Sequence, residues 1–265
     1  MVLEWFAEHR RHKILEKPFP EGWLEILNRN IPTYALLNEE EQARLRDDLR
    51  IFIEEKSWEG CGGLAMTDEI QVTIAAQACL LIFHRKHNYF ANVESILVYP
   101  TEYQVRAQHR DPSGVVDQEI SDRLGESWSN GPVVLSWFDV LKGGSNPDDG
   151  RNVVYHEFAH KLDATDDAMN GVPLLDEEAQ VDEWAEVMQE EYQRLVAAVE
   201  KGHHTLIDPY GATNPAEFFA VVTECFFEKP IQMLHMHPRL YGVLQGYYHQ
   251  DPATRLPSVL AATAG

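Results

Sequence analysis

Residues 153–163 read VVYHEFAHKLD and contain His-Glu-x-x-His, with His156 and His160 on either side of Glu157. On an α-helix, at about 100° per residue, the two histidines project roughly 40° apart on successive turns, so two imidazoles can approach one metal ion. Glu157 projects roughly 60° from His160 and can reach a water at that metal without ligating the metal, which is the position of a general base in hydrolysis. Val154, Phe158 and Leu162 share the other side, so the helix is expected to rest on a core and turn its His-Glu face to a cleft. Asp163 returns to nearly the angular position of His156. A carboxylate there either accepts a hydrogen bond from a ligand histidine and fixes its tautomer, or is an ordinary aspartate at a helix end.

A catalytic zinc takes a third protein ligand and keeps one position open. Asp166 stands where the metzincin pattern has its last histidine, but that pattern turns on a glycine where this chain has Asp163. Glu178, Glu183 and Glu186 fall on the solvated side of a helix whose apolar face is Val181, Trp184, Met188 and Leu195. Glu217 is the preferred candidate. Its segment, NPAEFFAVVTECFFEK, is apolar almost all round and reads as a buried helix, yet it carries Glu217 and Glu224 two turns apart on one side. A buried carboxylate needs a partner, and a metal is the strongest available. The competing role for Glu217 is closure of a capping box with Asn214, behind Pro215. Glu224 reads either as a hydrogen-bonding partner of a metal ligand or as a carboxylate unrelated to the metal.

The elements that must position these residues are mostly helices. Asn38 caps NEEEQARLRDDLRIFIEEKSW and Thr67 caps TDEIQVTIAAQACLLIFHR, with the turn EGCGGLAM between them. The runs ESILVYP, GVVDQEI and GPVVLSW predict a small sheet, in which GPVVLSW is either a core strand or an edge able to pair with an extended peptide. KGGSNPDDG reads as a loop entering the His-Glu helix, and a long amphipathic helix is expected over about 176–201. The chain is expected to be ordered from about residue 20 onward. Helices around a small sheet make an α+β domain. A single domain over 1–265 is expected, its N-terminal helical part (about 1–90) packed on a core at about 91–265.

Lysine and arginine number 22 against 43 aspartate and glutamate, a net charge of −21. Such a surface repels phosphate backbones and anionic lipid, so no direct nucleic-acid contact and no membrane association are expected. The three cysteines form no CxxC pair, and the opening MVLEWFAEHRRHKILEKPFP puts charges where a signal peptide has its apolar run. Both features point to a cytoplasmic protein. The pairs His203/His204 and His235/His237 read as surface histidines.

HEFAHKLD, followed by DPYGATNPAEFFAVVTECFF, resembles the bacterial Mlc titration factor A family, whose metallopeptidase domain is similar to the catalytic domain of anthrax lethal factor. The likeness extends to SILVYP, SWSNGPVVLSW and YYHQDPATRL, and so over most of the chain. The resemblance implies a zincin-like metallopeptidase domain with Zn2+ held by His156, His160 and Glu217, and with Glu157 as general base. It also implies a role for Tyr210, whose hydroxyl would donate to the oxyanion of a tetrahedral intermediate. The expected activity is aminopeptidase-like cleavage of a peptide substrate. The alternative is a regulatory interaction protein that binds and sequesters a transcriptional repressor, Mlc-like, of sugar uptake genes.

Overall fold

The computed structural model describes residues 2–101, 131–146, 148–164, 169–176 and 179–256. Helix α1 (Val2–Glu16) lies ahead of the point where order was expected to begin. Long-range polar contacts hold it: Arg11 donates to both carboxylate oxygens of Glu55 at 2.8 and 3.0 Å, and the Arg50 guanidinium donates to the carbonyl of Ile14 at 2.6 Å. After α2 (Glu21–Asn30), Asn38 opens α3 (Glu39–Glu55) with both halves of a capping box, each hydrogen bond 3.0 Å long. Thr67 caps α4 (Asp68–Ile82), whose residues from Val72 to Ile82 are all buried.

Strands β1 (Ser57–Gly60), β2 (Ser95–Tyr99) and β3 (Val133–Ser136) form a parallel sheet in that order. Trp58 pairs with Ile96, and Ile96 with Val133. The turn predicted from EGCGGLAM begins inside β1, a strand too short and irregular to announce itself. The run GVVDQEI lies outside the described residues. Among the described strands β3 is terminal, which leaves one of its sides without a described neighbour.

The chain passes from β3 directly into α5 (Trp137–Ser145), capped by Ser136, so Lys142 to Ser145 are helical where a loop was expected. The buried Gly143 and Gly144 explain why glycines serve there. An added Cβ would stand 3.0 Å from Asn152 Cα and from the Asn30 carbonyl respectively, so the helix could not approach either so closely. Helix α6 (Val153–Asp163) follows, then α7 (Ala179–Glu200). Trp184, Met188 and Leu195 of α7 are buried as expected, but Val181 is 43% exposed, and Val187 takes the inner position instead. Glu183 and Glu186 are exposed, while the side chain of Glu178 lies outside the described residues.

A 3-10 turn (Pro209–Ala212) leads into α8 (Pro215–Glu228), followed by α9 (Pro230–Met236), α10 (Pro238–Tyr248) and α11 (Pro252–Arg255). One buried apolar cluster joins residues of the early helices, the sheet, α6 and α8. The fold is therefore α+β, with many helices on a small parallel sheet. No helix among the described residues is long and apolar enough to cross a membrane, and Cys61, Cys79 and Cys225 are free thiols.

Phe158 is the point where α6 meets the N-terminal helices. It is fully buried, with its ring edge-on to Phe52 at 5.7 Å and to Phe90 at 4.8 Å. Phe158→Ala is expected to cost about 3–5 kcal/mol of unfolding free energy in urea titration. A loss below about 1 kcal/mol would mean that this contact does not support α6.

Candidate metal centre

Helix α6 presents its two histidines because its N-terminus is firmly built. Asn152 caps it, its side-chain oxygen accepting from the backbone N–H of Val154 and Tyr155 at 3.1 and 3.0 Å, while its amide donates to Gln77 at 2.8 Å. Val154 and Phe158 are fully buried and Leu162 packs on the core, leaving the His-Glu side toward α8. Both imidazoles turn their Nε2 atoms to one place and lie 3.2 Å apart there.

The third group comes from the first turn of α8. Asn214 caps that helix by accepting from Glu217 N at 2.9 Å, so half of a capping box is present. The Glu217 side chain does not complete it. Its Oε2 points at His156 Nε2 and His160 Nε2, 3.0 and 3.4 Å away. Despite these short separations, Glu217 Oε2 is buried and has no hydrogen-bond partner of acceptable direction. Among the described residues this is the one group of three His, Cys, Asp or Glu side chains whose ligand atoms converge within 4.8 Å.

The group fits a cation. In a tetrahedron with metal–ligand distances near 2.05 Å, ligand atoms stand about 3.3–3.4 Å apart, and separations of 3.0, 3.2 and 3.4 Å suit that spacing. The electrostatics agree. Burial opposes a charged His156, but its contacts with Glu217 and Glu224 more than reverse this and raise its pKa to about 10. Burial likewise opposes a charged Glu217, and the two histidines outweigh it, bringing its pKa down to about 2. Two imidazole nitrogens and a carboxylate oxygen are the donor set of a metal site, where a cation would take the place of the proton on His156.

Glu224, two turns along α8, accepts from His156 Nδ1 at 2.8 Å, leaving Nε2 as the atom facing Glu217 and His160. Its other oxygen accepts from the backbone N–H of Asn152 at 2.5 Å. Burial pushes the Glu224 carboxyl above the ordinary range, against the pull of these two donors. Asp163 does something else: its Oδ2 accepts from Gly171 N at 2.9 Å and so fastens the segment after α6. Gly171 has φ +78°, and a Cβ on it would lie 2.5 Å from the Pro215 carbonyl, so glycine lets this segment reach the start of α8.

Residues 5–249 match the family described as glucose-regulated metallo-peptidase M90. The chain belongs to the M90 family. It is 42% identical over 252 residues to the Synechocystis protein slr2042, covering 94% of this chain and 90% of that protein. It is 33% identical over 229 residues to Mlc titration factor A of Klebsiella pneumoniae strain 342, covering 85% of each chain. Mlc titration factor A of Yersinia pestis strain Pestoides F is 32% identical over 237 residues, 88% of this chain and 86% of that one. Family membership makes the protein metallopeptidase-like, which implies a bound metal, typically zinc.

Of the remaining predicted residues of this M90 chain, Glu157 and Tyr210 lie near His156. Glu157 is half-buried on α6, near enough to His156 to help raise its pKa. Tyr210 is 55% exposed in the 3-10 turn, its ring 6.0 Å from that of His156. Asp166 lies outside the described residues. His203, His204 and His235 are exposed, while His237 Nδ1 donates to Glu191 at 2.7 Å. Two supports went unread in the sequence. Asn152 links the Glu224 carboxylate to the start of α6, and Arg151 pairs with Asp208, which in turn caps the turn carrying Tyr210. The cap-type asparagine just before VVYHE was a usable signal for the first. For the second there was none, because the partners are far apart in the chain.

Elemental analysis of protein purified without chelators is expected to find about one zinc per chain. Glu217→Ala should abolish retention, whereas Glu224→Gln should keep the site and weaken zinc affinity about 10–100-fold. Equal retention in wild type and Glu217→Ala would remove Glu217 from the ligand set.

Proposed function

We propose that this protein is a zincin-like zinc peptidase of aminopeptidase type, formed as a single α+β domain. The observation that carries the reading is the convergence of His156, His160 and Glu217 within 4.8 Å, in an M90 chain, with Glu157 on the same helix. In this reading His156, His160 and Glu217 would hold the zinc, and Glu224 would keep His156 in the required tautomer. When bound, zinc supplies Lewis acidity and lowers the pKa of a water toward 7.

Glu157 then takes the proton from the attacking water and delivers it to the leaving amine. The Tyr210 hydroxyl, carried on an exposed turn beside His156, donates to the oxyanion that forms at the peptide carbonyl. The net charge of −21 favours substrates with a free amino terminus, which supports the aminopeptidase assignment. β3, terminal among the described strands, offers an edge along which an extended substrate could lie. Three unpaired cysteines suit a reducing, cytoplasmic setting.

A second role is favoured by the names of the relatives called Mlc titration factor A: binding of an Mlc-like transcriptional repressor. Zinc and catalysis would then be separable from partner binding. Glu157→Gln tests both readings in one protein. It is expected to retain zinc, lose about 10²–10⁴-fold in kcat on peptides, and bind the repressor as wild type does. Wild-type turnover would remove Glu157 as the base, and repressor binding lost together with activity would tie the two roles to one surface. In a peptide panel, free amino termini are expected to be cut well ahead of acetylated ones; equal rates would refute the aminopeptidase preference.

A further inference from the structure

On another flank of α6, away from the metal centre, lies a cavity of about 450 Å³. Its volume is within the range of small-molecule sites. Lys161 of α6 lines it, projecting about 100° around the helix from His160. Arg85 and Lys86, in the segment after α4, also line it, with His87, kept neutral by burial, and the amides Asn88 and Asn92. None of the described lining residues is an aspartate or glutamate, although the chain carries 43 acids against 22 bases. Such local reversal of sign in an acidic protein concentrates anions at one place.

The wall is built rather than incidental. Arg85 is fixed by hydrogen bonds to the carbonyls of Tyr247 and, at 3.0 Å, Leu174, and its guanidinium lies 3.7 Å from the centroid of the Tyr247 ring. Asp176 stands 3.9 Å from Arg85 but is held by His249 at 2.7 Å. Asn92 donates to the Lys161 carbonyl at 2.8 Å, and Lys161 donates to that of Gly131 at 2.9 Å. His87 Nδ1 is buried and has no hydrogen-bond partner. Phe90, Leu174 and Tyr247 supply an apolar side for a carbon skeleton.

We infer that this cavity is a binding site for a small phosphate monoester, separate from the metal centre. Cationic side chains enter it from α6 and from the segment after α4, and the three outer oxygens of a phosphate accept from several directions at once, which a planar carboxylate does less well. The walls also fix the last turn of α6 and the segment through Leu174, so an occupant braces the far side of the metal-bearing helix.

The test is isothermal titration of the zinc-loaded full chain with glycerol 3-phosphate, with succinate and sodium chloride at matched ionic strength as comparisons. Saturable binding at millimolar concentration or below is expected, at least about tenfold tighter than for succinate. Lys86→Glu and Asn88→Asp, both at exposed positions, should each weaken it about tenfold or more without altering the circular dichroism spectrum. Glu217→Ala should leave it unchanged. Absence of saturable binding, equal affinity for succinate, or full affinity in Lys86→Glu would overturn the assignment. So would loss in Glu217→Ala, which would put the anion on the metal instead.

Discussion

The Glu224 carboxylate is the joint on which the centre depends. One oxygen takes His156 Nδ1 and the other takes the backbone N–H of Asn152, the residue that caps the helix carrying His156. A single side chain from α8 therefore fixes both the start of α6 and the orientation of an imidazole one turn further on. The N–H it accepts sits at a helix N-terminus, where negative charge is stabilised. Because Glu217 lies two turns before Glu224 on the same face of α8, the joint also sets the register that brings Glu217 to the two histidines.

The arrangement is costly. His156 and three carboxylates, Glu217, Glu224 and Glu228, are removed largely from water along one helix pair, and each carries a desolvation penalty of several kcal/mol. Glu228 shows the penalty most plainly: burial, with Asp149 and Glu224 nearby, pushes its pKa up to about 8, even though it accepts from the Arg151 N–H at 2.8 Å. What offsets these penalties is the rest of α8. Residues Phe218 to Phe226 are all buried, and Phe226 packs against Tyr241 and Tyr248 at 5.0 and 5.6 Å. The apolar residues of α8 are what allow its polar groups to be held where water would otherwise compete for them.

Local signals in the sequence were legible and distant ones were not. Asn38, Thr67 and Asn214 cap as their side chains predict, and the apolar stripe Val154, Phe158, Leu162 correctly gives the face of α6 that meets the core. The strand SWEG was missed because four residues alternate too briefly to show a period, and the helical KGGS was missed because glycine propensity argues against a helix that tertiary contact imposes. Val181 was misplaced for a similar reason: one residue at the fraying start of α7 need not follow the stripe set further along. For Glu217 the residues alone allowed cap or ligand. The helix start is capped by Asn214 without help from the carboxylate, which is then available to the histidines.

Tyr210 and Glu217 both come near His156, but they are placed there differently. Glu217 is set by α8, a buried helix that cannot shift without disturbing the core. Tyr210 sits on a short exposed turn, capped by Asp208 and tied to the start of α6 through Arg151 at 2.6 Å. That ion pair is largely exposed on its arginine side, and exposed pairs contribute only about 0–1 kcal/mol. A carboxylate on a buried helix and a side chain on an exposed turn suit the different demands of the roles proposed for them. A ligand atom must stay within a few tenths of an ångström of its place. The role proposed for the Tyr210 hydroxyl would require it to admit substrate first and close on it afterwards.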